Sequence, residues 1–571
     1  MDDKRNIILA TLIAALILFG WPMVMGKFFP ETVKNTPATT ATAGTNTAAV
    51  AAGAATTPVA SAPRAQNLTA ALASGGRIPI ETPTLRGSIN LTGARVDDLV
   101  LLDYSQTIDR GSPPVRLFAP GGTARAYFAG AGWTGTGAPN AATVWSAPAG
   151  ARLTPTTPVT LTTTNATGQS FAVTLSVDAQ YMFTIRQSVT NGATTPVALR
   201  PYNYLTRMGT SPDPDSYTIN TGAMGVFDGT AAWFNNAEID DAPGATLTRH
   251  SRGGWLGFTD HFWLGAIIPA QNQPVETSFR RAAGGLYQAD FAGAERIVAS
   301  GQSLAQTSRL FAGAKETRLL DHYTDQGGVT LLDRATDWGW FAVIAKPIFY
   351  LLDWLFRMIG NFGLAIMSLT LIIRALMFPI AQKQFASMAA MRIVQPKMKA
   401  LQEKYADDKP RLQQEMMAMY KQEKINPLAG CLPILIQIPI FYALYKCLML
   451  TVEMRHQPFF GWIHDLSAPD PASLITLGQH FGIAVPAFLG IGVLAVLLGI
   501  SMWAQFKLNP PAPDPVQQQV FAIMPWMLMF VMAPFASGLL LYWITNNILT
   551  IAQQRLLYSR YPEMKQAMAK S

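Results

Sequence analysis

Long apolar runs divide this chain and limit the folds open to it. A helix crosses a hydrocarbon core with about 18 to 20 consecutive apolar residues. The last run is too long for one crossing and is broken by Pro534 and Gly538, which favour a tight turn. The sequence therefore predicts six transmembrane helices, one within 1–26 and the others at 361–381, 431–452, 481–503, 520–535 and 537–552.

A single arginine interrupts the second run. Arg374 lies within residues 361–378, where no acidic residue occurs. Insertion scales give an arginine at the bilayer centre a cost of about 2.5 to 3.5 kcal/mol, so such residues usually face a water-filled cavity. Thr370 lies one turn earlier on the same helical face. We therefore predict a polar cavity at Arg374, with snorkelling of its side chain towards Gln382 as the alternative.

The distribution of charge predicts the orientation of the chain. Lys4 and Arg5 precede a first run without a small-residue cleavage site, so residues 1–26 are expected to remain as an uncleaved anchor. Residues 27–340 hold 22 basic and 22 acidic residues, whereas 381–428 hold nine basic and five acidic ones. The positive-inside rule then places both termini and the 381–428 loop in the cytoplasm. This basic excess favours anionic lipid or ribosomal RNA over DNA as a partner.

The exported region is predicted to contain a flexible linker and one β-domain. Residues 27–77 are rich in Ala, Thr and Pro, a composition that cannot bury a core. From 78 to 336, short alternating runs are separated by turn residues, and the runs 171–177 and 181–186 predict a hairpin around Asp178. The pattern predicts one large antiparallel β-sandwich.

Two segments beside the apolar runs are predicted to form amphipathic helices. The aromatic segment 338–358 carries charges that make it too polar for a clean span, so we expect an interfacial helix, or else the early part of a tilted span. Residues 382–428 are predicted to form a helical hairpin, with its first helix starting at Pro396. Its apolar stripes would either pack together or offer an adaptable surface to apolar ligands. The stripes include Met398, Leu401, Met416 and Met419.

No motif for catalysis, nucleotide binding or zinc binding occurs in the sequence. We therefore predict no cofactor, no metal and no enzymatic activity. A carbohydrate-active β-domain using His250, His261 or His322 is the alternative, but these histidines lack metal-ligand spacing. Cys431 and Cys447 would lie about 24 Å apart on one helix, too far for a disulfide.

Several motifs resemble the YidC-type membrane protein insertases. They cover about the last 235 residues, in the order that the family has them. The motifs are LIIRALMFP at 371–379, MRIVQPKMK at 391–399, EMMAMYKQEKINPLAG at 415–430, CLPILIQIPIFYAL at 431–444, WIHDLSAPD at 462–470 and SGLLLY at 537–542, followed by Asn546. The exported region resembles, more loosely, the periplasmic β-sandwich of Gram-negative members, best at 254–269.

The resemblance implies an insertase core over 337–571. Five helices would surround a groove that is open to the cytoplasm and lipid but closed to the periplasm. The resemblance assigns Arg374, Thr370, Tyr542 and Trp543 to this groove, the last being a departure from a tyrosine in a relative. Gln437 and Asn546 join them as polar residues within apolar runs, where hydrogen bonding between helices is the alternative.

The implied function is insertion and folding of nascent membrane proteins in the bacterial inner membrane, alone or with the Sec translocon. The hairpin, with its methionines, would capture substrate polypeptide. The short basic tail implies weak ribosome binding. The competing hypothesis is a secondary transporter that uses Arg374 for a small anion, but the sequence shows neither paired broken helices nor inverted repeats.

Overall fold

The computed structural model describes residues 67–211, 220–339, 342–405, 408–422, 432–481, 490–508 and 515–559. They fall into two compact units, one of residues 67–337 with 450–452, the other of residues 338–449 and 453–559. The predicted anchor, 1–26, lies outside the described residues. The end of the predicted linker forms a short helix, α1 (Leu68–Ala73), because the Asn67 side chain accepts a hydrogen bond from the Thr69 amide.

The first unit is built from two antiparallel sheets. One sheet has the order β1-β2-β3-β5-β9-β16-β15-β12, with β4 paired to β3 and β17 to β9, and the other has the order β11-β10-β13-β14-β18-β8-β7-β6. The strands are β1 (Arg77–Glu81), β2 (Leu85–Asn90), β3 (Arg95–Ser105), β4 (Pro114–Phe118), β5 (Tyr127–Thr134), β6 (Val159–Thr164), β7 (Gln169–Val177), β8 (Met182–Asn191), β9 (Val197–Met208), β10 (Gly222–Phe227), β11 (Thr230–Phe234), β12 (Thr246–Arg252), β13 (Trp255–Thr259), β14 (Trp263–Ile268), β15 (Pro274–Ala282), β16 (Leu286–Ala292), β17 (Arg296–Val298) and β18 (Ser303–Ala314).

The hairpin of β7 and β8 follows its sequence pattern. Buried and partly exposed residues alternate along β7, and Val177 pairs with Phe183 across the turn. Asp178 fixes this turn, since its Oδ1 accepts hydrogen bonds from the amides of Gln180 and Met182 at 2.9 and 3.0 Å. The predicted hairpin is confirmed.

The two sheets pack face to face over a common core. A Cβ on Gly265 of β14 would lie 2.3 Å from the Tyr127 hydroxyl of β5, so glycine permits this close approach. A hydrogen bond also crosses the core, since the Asn203 side-chain amide donates to Ser308 Oγ at 2.8 Å. The predicted antiparallel β-sandwich is confirmed. Two short helices that the sequence did not predict, α2 (Asn236–Asp240) and α3 (Thr317–Asp325), complete the unit.

The second unit is helical. Its helices are α4 (Ala342–Ile359), α5 (Phe362–Leu376), α6 (Phe378–Lys404), α7 (Lys409–Gln422), α8 (Leu432–Leu450), α9 (Leu474–His480), α10 (Val493–Leu508), α11 (Pro515–Met532) and α12 (Ser537–Ser559). Its core draws a buried side chain from each of six helices, namely Phe349, Ile366, Leu444, Leu498, Met532 and Leu540.

Within the described ranges, no helix combines the length and the hydropathy needed to cross a membrane.

Several predicted helix bounds are corrected by the structure. The segment 361–381 is split between α5 and α6, because Pro379 in the first turn of α6 has no amide hydrogen to continue the pattern. Pro396 does not begin a helix but lies inside α6, where it removes one hydrogen bond. In place of one helix over 481–503, α9 ends at His480 and α10 begins at Val493, while 482–489 lie outside the described residues.

Candidate functional site

Arg374 is half-buried on α5 and is held by a neutral partner. Its Nε donates a hydrogen bond of 2.8 Å to Oδ1 of Asn546 on α12. Arg374 lies twelve residues after the first residue of α5, which is about 18 Å along the helix axis. No carboxylate of the described residues forms an ion pair with it. The guanidinium is thus fixed between two helices by a neutral group, and the described part of the chain pairs no carboxylate with it.

A second polar contact links α12 to α8. The Gln437 side-chain amide donates a hydrogen bond to the hydroxyl of Tyr542, which is buried. The next residue, Trp543, packs edge-on against Phe441 of α8, with ring centroids 5.0 Å apart. Tyr542 and Asn546 lie one turn apart on α12, so a single face of that helix contacts both α5 and α8.

Thr370 is placed differently from the other predicted groove residues. Its side chain is buried, and its hydroxyl donates a hydrogen bond of 2.7 Å to the carbonyl of Ile366 on the same helix. The structure therefore brings together Arg374, Asn546, Gln437 and Tyr542 in two hydrogen bonds, but the Thr370 hydroxyl is bonded within its own helix rather than to any of them. Sequence reasoning also missed Ser501, whose hydroxyl accepts from the Asn547 amide at 2.9 Å. A serine in an apolar run was the available signal.

The loop after α8 closes one end of the helical unit. The amides of Ser537 and Gly538 donate to the carbonyls of Ala468 and Leu466 at 2.8 and 2.9 Å. Gly538 makes this approach possible, since a Cβ there would lie 2.8 Å from a methyl group of Leu448. The loop thus covers the start of α12, and its Phe459 lies directly against Gly363 at the start of α5.

Buried Asp470 fastens this loop to α10. Its carboxylate accepts hydrogen bonds from the Leu494 amide at 2.7 Å, the Ala472 amide at 2.9 Å and the Trp462 indole at 3.0 Å. Gly492 lies directly against this carboxylate, since a Cβ at that position would be only 2.6 Å from Oδ2 of Asp470. The motif at 462–470 therefore stabilises the attachment of this loop to α10.

The predicted capture residues lie between the two helices of the hairpin. Met398 and Met419 are buried there with Leu401 and Met416 packed against them. Met398 also contacts the Tyr420 hydroxyl through its sulfur at 3.2 Å. Because packing of α6 on α7 uses these side chains, their placement favours a core role over a surface for capture. Met417, with 52% of its surface exposed, faces outward instead.

Comparison with known proteins places these features in a family. A family model described as "60Kd inner membrane protein" matches residues 354–565, and one described as "YidC periplasmic domain" matches 77–351. A protein of Zymomonas mobilis named "Membrane protein insertase YidC" is 44% identical over all of this chain and 98% of its own length. This chain belongs to the YidC family. The family is one of inner-membrane proteins with a periplasmic domain.

Other relatives carry the same name. The "Membrane protein insertase YidC" of Sinorhizobium fredii is 45% identical over 86% of this chain and 84% of its own length. A solved structure described as an active YidC insertase with its first transmembrane domain resolved is 18% identical, covering 84% of this chain and 92% of that one, with a TM-score of 0.34. None of these YidC relatives is named as a transporter, so the anion-transporter hypothesis gains no support.

Helix α11 exposes several large apolar side chains. Exposed large side chains on α11 are Phe521, Ile523, Trp526 and Phe530. Two methionines of α11 do not belong to this surface, because Met529 and Met532 are buried, and Met529 lies against Gly499 of α10. The most exposed side chains of α11 are therefore aromatic and branched, while Met524 and Met527 are partly exposed.

The histidines of the β-sandwich are dispersed over different elements. His250 lies on β12 and His322 on α3, while His261 stacks on Phe262 at a centroid distance of 3.7 Å. Among the residues that the structure describes, no three potential metal ligands cluster.

A partly buried carboxylate joins three elements of the same domain. Glu316 accepts hydrogen bonds from the Tyr104 and Tyr181 hydroxyls at 3.0 and 3.1 Å. Burial raises the pKa of Glu316 above its ordinary value, although these two hydrogen bonds act in the opposite direction. Burial also raises the pKa of Tyr181. The arrangement connects β3 and the start of β8 to α3.

Proposed function

We propose that this chain inserts nascent membrane proteins into the bacterial inner membrane through a groove formed by α5, α8 and α12. The observation that carries the proposal is Arg374, a cation half-buried in an apolar helix whose hydrogen-bond partner, Asn546, is neutral. Its relatives are named for the same activity. The chain is proposed not to be an enzyme, because insertion requires no bond to be broken.

The proposed topology has six transmembrane helices with both termini in the cytoplasm. Residues 1–26 form the first span, and α5, α8, α10, α11 and α12 form the core. The excess of basic over acidic residues in 381–428 keeps the hairpin of α6 and α7 in the cytoplasm, and the β-sandwich of 78–336 is periplasmic. Exposed apolar side chains on α4, such as Val343 and Met358, suit an interfacial helix.

The groove lowers the barrier for the polar end of a substrate. Polar side chains of α5, α8 and α12 hold water within the cytoplasmic half of the bilayer, so a polar segment need not cross the full hydrocarbon thickness. Arg374 attracts acidic residues of that segment. The loop at 455–473 keeps the opposite end closed by its contacts with α10 and α12. The segment is therefore held part-way across rather than passed through a pore.

The apolar helix of the substrate leaves along α8 and α11. Ile438 on α8 and Trp526 on α11 are exposed and supply this apolar surface. Transfer into lipid then drives release, with about 25 cal/mol gained per Å² of apolar surface removed from water. The slide needs no energy from a nucleotide.

Other proposed partners follow from charge. The basic excess of the cytoplasmic segments attracts anionic lipid headgroups and, weakly, the ribosome. Within the same proposal, the chain works alone on small substrates and beside the Sec translocon on larger ones. Insertion measured with and without the translocon separates these two modes.

The direct test uses liposomes that contain only the purified chain. A single-span substrate with an acidic N-terminal tail is added, and insertion is scored by protease protection. We expect protection above that of empty liposomes and a clear loss with Arg374→Ala. Lys507→Ala is the matched control, because Lys507 lies at the end of α10 and contacts Trp503 rather than the groove. Full activity of well-folded Arg374→Ala would contradict the role of its charge.

A further inference from the structure

The partner of Arg374 is an amide oxygen in the position that a carboxylate oxygen would take. The Arg374 Nε to Asn546 Oδ1 distance of 2.8 Å is that of a normal hydrogen bond to a guanidinium. Asparagine and aspartate have the same shape, and both present Oδ1 as an acceptor. They differ in charge, so Asn546 satisfies the geometry of Arg374 and leaves its charge unneutralised.

We infer that Asn546 is a surrogate ligand that holds Arg374 until an acidic side chain of a substrate displaces it. This inference rests on the proposed function and adds a residue that determines substrate preference. The hydrogen bond to Asn546 already has a charged donor, but a carboxylate adds the opposite charge and a second oxygen that can form a bidentate pair with the guanidinium, so it competes well against the amide. A neutral substrate tail gains no such advantage.

The position of Asn546 favours this role. It is buried on α12, one turn after Tyr542, whose hydroxyl is held by Gln437. The backbone carbonyl of Asn546 also accepts a hydrogen bond from the Thr550 hydroxyl at 2.6 Å within the helix. The amide oxygen is therefore presented from a fixed helix, so exchange with a substrate requires movement of the arginine side chain alone.

The same geometry predicts that an aspartate at position 546 would inhibit the insertion of substrates with acidic tails. With Asn546→Asp, an internal ion pair with Arg374 would form in a partly buried setting. A substrate carboxylate would then have to displace a charge of its own sign, whereas a neutral tail would be unaffected. Comparing asparagine with aspartate at position 546 therefore separates the effect of charge from the effect of side-chain shape.

The test compares two substrates that differ only in tail charge. Purified full chain in liposomes is given a single-span substrate with two aspartates in its tail, or the same substrate with two asparagines, and both insertion rates are measured. We expect Asn546→Asp to lower the acidic-to-neutral rate ratio by about tenfold, which corresponds to about 1.4 kcal/mol. We expect Asn546→Ala to keep or raise the wild-type ratio, because Arg374 is then left without its surrogate.

Asn547→Asp is the matched control. It makes the same substitution one residue later, where the side chain contacts Ser501 on α10 rather than Arg374, and we expect the wild-type ratio. An unchanged ratio in Asn546→Asp, or a ratio near one in Asn546→Ala, overturns the surrogate role. Failure of the wild-type chain to insert either substrate would instead contradict the proposed function. Thermal unfolding of each variant confirms that the compared proteins are folded.

Discussion

Replacing Asp470 with alanine is expected to detach the closing loop from α10. Its buried carboxylate accepts three hydrogen bonds, and the one from the Leu494 amide joins residues 24 positions apart. Asp465 on the same loop offers a matched comparison, because its oxygen accepts from the amide and hydroxyl of Ser467 within a local turn. The two substitutions remove the same group from one loop but differ in what that group connects.

The size of the effect follows from the donors that lose their acceptor. A buried donor without a partner costs about 1 to 3 kcal/mol. Asp470→Ala leaves the buried Leu494 amide in this state and also removes the acceptor of the partly exposed Trp462 indole, so we expect a loss of about 3 kcal/mol in the local free energy of opening. Asp465→Ala breaks the local turn and a long contact of 4.0 Å with the His456 imidazole, for which about 1 kcal/mol is expected.

Hydrogen exchange measured by mass spectrometry on peptides covering 490–500 reads this change directly. A loss of about 3 kcal/mol corresponds to exchange that is faster by about a hundredfold. Asp465→Ala should change exchange in these peptides far less. Equal rates in the wild-type chain and Asp470→Ala would show that the carboxylate does not hold the loop to α10, as would an equal effect of the two substitutions.

Three further perturbations have defined outcomes. Asp260→Ala leaves Arg207 without its partner in an ion pair whose side chains are only 9% and 8% exposed, so a loss of about 3 to 5 kcal/mol in unfolding free energy is expected in thermal or denaturant unfolding. Glu316→Gln keeps an acceptor but cannot ionise. Because the folded-state pKa of Glu316 is raised, its contribution to stability is greatest in acid and falls as pH rises from about 4.5, so the variant should gain stability relative to wild type over that rise. Met398→Ala should lower hairpin stability by about 2 to 5 kcal/mol, whereas exposed Met417→Ala should not, as limited proteolysis would detect.

For each of these three substitutions, a defined result would contradict the prediction. The exposed pair of Arg152 and Glu81 serves as the control for Asp260, since breaking it should cost about 0 to 1 kcal/mol, and equal losses at both sites would contradict the importance of burial. A pH-independent difference between Glu316→Gln and wild type would contradict the raised pKa. Greater proteolysis of Met417→Ala than of Met398→Ala would show that the hairpin packs differently.

The β-sandwich was predictable because local pattern and tertiary packing agree there. Alternation along 171–177 and the turn residue Asp178 were sufficient for the hairpin, and β7 and β8 pair accordingly. The order of strands was not predictable. Neighbours such as β5 and β9 are distant in the sequence, and their pairing depends on core contacts such as that of Tyr127 with Gly265.

In the candidate site, sequence identified residue types but not partners. Arg374 and Asn546 were both conspicuous as polar residues in apolar runs, yet 172 positions separate them and only the structure shows their hydrogen bond. Thr370 shares a helical face with Arg374, but its hydroxyl bonds to its own helix, an outcome that spacing cannot reveal. Methionine-rich stripes were ambiguous for a similar reason, because a stripe that packs a hairpin and one that binds a ligand have the same period.

Site-specific cross-linking can show whether a substrate occupies the groove between α5, α8 and α12. A photoreactive residue is placed at Gln437, beside Tyr542, or at Ile500, which is exposed on α10 away from the groove contacts. A ribosome-stalled substrate with an acidic tail is then presented to membranes containing each variant. We predict strong cross-links from position 437 that weaken with Arg374→Ala, and few from position 500. Equal cross-linking from both positions, or from position 500 alone, would mean that the substrate does not use this groove.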